Sequence, residues 1–80
     1  MNPLVKVRED LGKSRKELAL MIGTTYHRIY EIESGYTASI PQVITDFFKA
    51  HCKSVNVDDL QEQYKTWKEE QRKEQINKLN

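Results

Sequence analysis

The sequence predicts an all-α fold, and three observations carry that expectation. Only three glycines and two prolines punctuate the 80 residues. No run of alternating β-branched residues is long enough to read as a strand. Helix-start signals recur along the chain, each followed by apolar residues at helical spacing.

The elements follow in order. Asn2 is placed to cap a first helix with Pro3 at its first position, and Leu4, Val7 and Leu11 recur until Gly12, which predicts a helix over about 3–11. Ser14 and Glu17 form a capping-box pair ahead of Leu18, Ala19 and Ile22, predicting a second helix over about 14–22. Gly23 stands where a helix ends in a left-handed residue, and Thr24-Thr25 offers a new cap for a third helix over about 25–33, with Ile29 and Ile32 on one side. Two short helices joined by a tight glycine-containing turn make a helix-turn-helix. A loop over 34–39 leads to a fourth helix at about 40–51, in which Ile40, Val43, Ile44, Phe47 and Phe48 form an apolar stripe. Asn56 or Val57 then precedes Asp58-Asp59, acids suited to a helix N-terminus, and Leu60, Tyr64 and Trp67 continue an apolar face. Residues 68–80 are almost wholly polar, either a solvated helical extension or a frayed tail, so the domain is expected to occupy 1–67.

Composition narrows the function. With 38% hydrophobic residues in so short a chain, a compact core forms but not one able to enclose a substrate cleft, which weighs against a self-contained enzyme. No apolar stretch approaches the roughly 18 residues of a membrane span, and the N-terminus lacks a signal-peptide run, so a soluble cytoplasmic protein is expected. Cys52 is the only cysteine, and with His27 and His51 it makes no zinc spacing; no metal or cofactor is expected. The net charge of +1 hides an uneven distribution, since eight basic and six acidic residues precede Asp58 while five and six follow from it.

Residues 14–35, SRKELALMIGTTYHRIYEIESG, closely resemble the helix-turn-helix of the lambda-repressor-like, or Xre/Cro-type, DNA-binding domains. Ser14 opens helix two, Leu18-Ala19 and Ile22-Gly23 lead into the turn, Thr25 caps helix three, and Ile29, Ile32, Glu33 and Gly35 follow in register. Arg8 with Leu11-Gly12, and Val55 to Leu60, are similar to the flanking helices, so the resemblance spans about residues 3–64. It implies a compact five-helix domain with a polar C-terminal helical extension. The implied function is sequence-specific binding of double-stranded DNA by a transcriptional regulator, a repressor reading a two-fold operator with helix three in the major groove.

Helical geometry and the resemblance together nominate site residues. With Ile29 and Ile32 inward, His27, Tyr30, Glu31 and Ser34 point outward while Tyr26 and Arg28 flank the first turn. Tyr26, His27, Arg28, Tyr30 and Glu31 are therefore the candidate base contacts. Arg28 suits guanine O6 and N7, and Glu31 either accepts from cytosine N4 or holds Arg28 or Arg15 in place. Phosphate contacts are expected from Ser14, Arg15, Lys16 and Thr25, and from the neutral hydroxyls of Tyr36 and Thr37 where the family usually offers a basic loop residue. Arg15 stands where the family frequently has glutamine, a change that favours a stronger and less selective backbone clamp. Arg8 and Glu33 resemble a charge pair that, in this family, orients helix three.

Two partner readings remain. The first is a homodimer that pairs mainly on DNA and weakly in solution; Asp46 and the Phe47-Phe48 doublet depart from the family's helix four, next to the usual dimer contact. The second is an antitoxin-like or antirepressor-like module in which the same fold, or the chain from Leu60 onward with its Leu60, Tyr64 and Trp67 face, binds a protein. That face has two destinations, the domain's own core or a second subunit.

Overall fold

The computed structural model describes residues 1–79 and contains, among them, five helices and no strand. They are α1 (Pro3–Asp10), α2 (Arg15–Ile22), α3 (Tyr26–Glu33), α4 (Gln42–His51) and α5 (Val57–Asn77). Four of the five starts carry the side-chain cap expected of their residue types. The Asn2 side chain accepts from Leu4 N, Ser14 from Glu17 N, Thr25 from Arg28 N and Asn56 from Asp59 N. The Ser14 and Glu17 pair closes a complete capping box, and Asn56, not Val57, caps α5.

The fourth helix begins later than its apolar stripe predicts. Pro41 disfavours helical geometry at Ile40, so the helix opens at Gln42 without a side-chain cap. Ile40 instead runs in extended chain, its N–H and carbonyl both bound by the Gln61 side-chain amide at 3.1 and 2.7 Å. The inward arc of α4 is Ile44, Thr45 and Phe48, whose centre lies about 150° around the helix from Val43. Val43 is accordingly 47% exposed, against the expectation that the stripe packs in the core, while half-buried Phe47 still packs against it.

One core joins all five helices: Leu4 from α1, Leu18 and Ala19 from α2, Ile29 and Ile32 from α3, Ile44 and Phe48 from α4, and Val57, Leu60 and Tyr64 from α5, with Ile40 between. Half-buried Cys52 packs against its edge. The apolar face of α5 takes the first of its two destinations. Leu60 and Tyr64 are core residues, and Trp67 lies half-buried against them, so the face proposed for a protein partner is closed within the monomer. The reason is geometric: α1 and α4 both pack on α5 and cover this side of it.

Beyond Trp67 the helix continues to Asn77, which resolves the tail in favour of a helical extension. Lys68 still belongs to the packed region, since it is half-buried and its ammonium donates to the Thr37 carbonyl at 2.8 Å. Residues 69–79 are exposed throughout. Twenty-one helical residues span about 31 Å, which accounts for much of the molecule's 44 Å long axis. Among the described residues no helix is long and apolar enough to cross a membrane.

Candidate nucleic-acid interface

The candidate interface is built on α2 and α3, which pack on each other more extensively than any other pair of helices. Gly23, at φ 84°, provides the left-handed residue that ends α2, and Thr25 restarts the chain as α3 two residues later. Ile29, Ile32 and Glu33 form the buried side of α3. At about 100° per residue this arc sends His27, Arg28, Tyr30 and Glu31 to the other side. Tyr26, His27, Arg28 and Tyr30 are exposed and Glu31 is half-buried.

The C-terminal end of α3 is fixed from several directions. Gly35, at φ 82°, closes the helix through Gly35 N–H to the Ile32 carbonyl and Tyr36 N–H to the Glu31 carbonyl, at 3.0 and 2.9 Å. The buried Asn2 amide donates to the carbonyls of Ile32 and Glu33 at 3.0 and 3.1 Å, so the residue that caps α1 also ties down α3. Tyr64, fully buried, donates its hydroxyl hydrogen toward the Ile32 and Thr37 carbonyls at 3.1 and 3.0 Å. None of these long-range bonds leaves a periodic mark in the sequence.

Beneath the exposed face lies a three-residue charge cluster. The Glu33 side chain, 1% exposed, accepts from Arg8 Nε at 2.7 Å and Nη2 at 3.2 Å, and from Arg15 Nε at 2.8 Å. Arg8 Nη1 also donates to the Lys13 carbonyl at 3.0 Å, joining α1 to the start of α2. The Arg8–Glu33 pair is therefore formed, and it links α1 to the last residue of α3. Arg15 is the addition that sequence reasoning missed: its carboxylate partner is Glu33, where Glu31 was the candidate. Glu31 instead faces His27 one turn away, at 3.7 Å. The hydrogen bonds to Glu33 and then to Tyr26 raise the Arg15 pKa above its ordinary value, so the guanidinium stays charged.

The candidate phosphate contacts divide by availability. Lys16 and Tyr36 are exposed. The Thr25 hydroxyl accepts the Arg28 N–H as a cap and keeps a hydrogen to donate outward, while the Ser14 hydroxyl accepts from Glu17 N and is engaged with the Glu17 carboxyl. Thr37 is turned to the interior. With the Tyr64 hydrogen directed at main-chain carbonyls, the Thr37 hydroxyl donates to the Tyr64 oxygen at 3.0 Å, and its hydrogen is not free for a phosphate. The physical reason is the packing of α5 against the 34–40 loop, which the sequence motif does not include.

An eight-residue helix with a polar aromatic and basic outer face, joined by a glycine turn to a second helix whose N-terminus carries Arg15 and Lys16, defines a helix-turn-helix DNA-binding unit. A helix-turn-helix family model matches residues 4–44, half of the chain, and the protein belongs to the Xre/lambda-repressor-like helix-turn-helix family. It is a DNA-binding regulator of that type, and the family is regulatory rather than enzymatic. No curated protein and no solved structure matches the chain.

Proposed function

We propose that the protein is a transcriptional repressor that reads a two-fold operator, placing α3 in the major groove of each half-site. The observation that carries this reading is the outer face of α3: Tyr26, His27, Arg28 and Tyr30 stand exposed together on one short helix whose far end is tied down by Asn2, Tyr64 and Glu33. Exposed aromatic and basic groups on a rigid support are suited to base edges. Arg28 addresses guanine, Tyr26, His27 and Tyr30 address purine acceptors or thymine methyls, and Glu31 accepts from cytosine. Ser14, Arg15, Lys16, Thr25 and Tyr36 hold the flanking phosphates and set the register.

Two copies pair mainly on DNA. Support comes from α5, whose apolar face is closed inside the monomer and whose continuation over 69–79 is polar apart from Ile76 and Leu79. The operator then supplies the association energy, with half-sites separated by about one helical turn, roughly 34–36 Å. Burial of Leu60 and Tyr64 also leaves less apolar surface on α5 for a protein partner, which favours the DNA-binding reading.

The test is selection of bound duplexes from a randomised pool. A palindrome with half-sites about one turn, or a multiple of it, apart is the expected product. Recovery of no preferred sequence, with binding that follows salt alone, would contradict the proposal.

A further inference from the structure

Arg15 is held from three sides. Its Nε donates to Glu33 Oε1 at 2.8 Å, its Nη1 to the Tyr26 hydroxyl at 3.5 Å, and its guanidinium carbon stands 5.6 Å from the centre of the Tyr30 ring. His27 extends the row, its ring stacked on Tyr30 at 6.5 Å between centres and 21° between planes. One side chain from α2 thus touches the first residue of α3, the last, and an exposed ring between them.

The anchor of this arrangement is Glu33. It is buried and already held by Arg8 through two bonds, so its carboxylate is a fixed point to which Arg15 conforms. Bonds in the guanidinium plane leave its charge free to lie over an aromatic ring, and the Arg15 guanidinium carbon stands over the Tyr30 ring. Without it, Tyr26 and Tyr30 are surface side chains free to change rotamer, and ordering them on DNA would oppose binding. Because Glu33 neutralises one of the two guanidinium charges around it, Arg15 is also a weaker attractor of phosphate than an unpaired arginine.

We infer that Arg15 is a positioning residue that preorganises Tyr26 and Tyr30, and through Tyr30 His27, for base recognition. The inference rests on the reading of α3 as the DNA-reading helix. A phosphate contact alone lowers affinity for every sequence alike; a residue that sets the posture of base-facing rings lowers selectivity.

The experiment uses the full chain and two probes, a duplex recovered from a randomised pool by the unsubstituted protein and a scrambled duplex of the same length. Arg15→Lys keeps the positive charge and removes the planar fork. It should lower the ratio of the two affinities about tenfold, the scale of one base-discriminating contact, and shift the Tyr26 and Tyr30 ring resonances of the free protein. Tyr30→Leu, an exposed change that spares the core, should lower the ratio as well and leave Arg15→Lys with less to remove, a coupling read by the double substitution. An unchanged ratio and unmoved tyrosine resonances in Arg15→Lys would overturn the inference. So would a uniform loss on both duplexes in Arg15→Ala with the salt slope reduced by about one, the mark of a phosphate contact alone. Absence of any selectivity in the unsubstituted protein would instead remove the DNA-reading proposal, and the inference with it.

Discussion

The indole of Trp67 occupies the space that a side chain would need at Gly35: a Cβ built there lies 3.0 Å from the indole Cη2 and Cζ3 atoms. The contact joins α5 to the turn that ends α3, so the end of α3 packs against a residue more than thirty positions away.

Two costs therefore coincide at Gly35, its left-handed φ of 82° and the tight approach to the indole, which must shift by a few tenths of an ångström to admit a Cβ. Gly35→Ala should destabilise the fold by about 2–4 kcal/mol, the backbone and overpacking contributions together. In a Trp67→Leu background only the backbone part, about 1–2 kcal/mol, should remain. Urea unfolding of the four proteins in this cycle checks the expectation, and equal costs in both backgrounds would show that the indole gives way freely.

Glu33 anchors two guanidinium groups from a position where water does not reach it. Glu33→Gln keeps the shape but removes the charge, and should cost about 2–4 kcal/mol, between the loss of a charge-assisted hydrogen bond and the breaking of a buried pair. Arg15→Ala should cost less, about 1 kcal/mol or below, because the Arg15 side chain is 37% exposed and solvent screens it. Chemical denaturation of both variants tests the order; a larger loss for Arg15→Ala would reverse the assigned roles.

Lys68 is the last half-buried residue of α5 among those described. Ending the chain after Lys68 should change stability by no more than about 0.5 kcal/mol, the scale of exposed positions. Ending it after Trp67 also removes the bond to the Thr37 carbonyl and should cost about 1 kcal/mol more. Thermal unfolding of the two truncations distinguishes them.

Helix α2 carries a pH-sensitive cap. Bonds from the Ser14 N–H and with the Ser14 side chain hold the Glu17 carboxyl below its ordinary pKa. Its contribution is fully present above the unfolded-state pKa and is lost as pH falls through the lower folded-state value. Ser14→Ala removes the side-chain bond but leaves the backbone N–H, the larger cause. It should therefore raise the Glu17 pKa only part of the way toward that of a free carboxylate, as read by NMR titration of its side chain; a full return would make the Ser14 side chain the main cause.

Local signals made the architecture legible. Asn2-Pro3, Ser14 with Glu17, Thr25 and Asn56 start helices because each satisfies nearby backbone N–H groups, and such bonds span only two or three residues. Val43 lies outside the core because Ile44, Thr45 and Phe48 define the inward arc of α4, and an apolar stripe does not show which of its edges is buried. The exposed outer face of α3 followed from placing Ile29 and Ile32 inward. The Arg15–Glu33 bond, the Asn2 clamp and the Thr37–Tyr64 pair were not legible, because they join residues 18, 31 and 27 positions apart through packing that no local pattern encodes.

The most direct test of α3 as the reading element is the base preference of Arg28→Ala. Arg28 lies exposed on the first turn of α3, with its guanidinium engaging no partner among the described residues and its backbone N–H bound to the Thr25 hydroxyl. Comparing sequences bound from a randomised duplex pool by the folded variant and the unsubstituted protein, we expect a loss of about 1–3 kcal/mol on the preferred duplex and relaxed preference at one base pair of each half-site. An unchanged preference and affinity in a variant that retains its fold would contradict the placement of α3 against the bases.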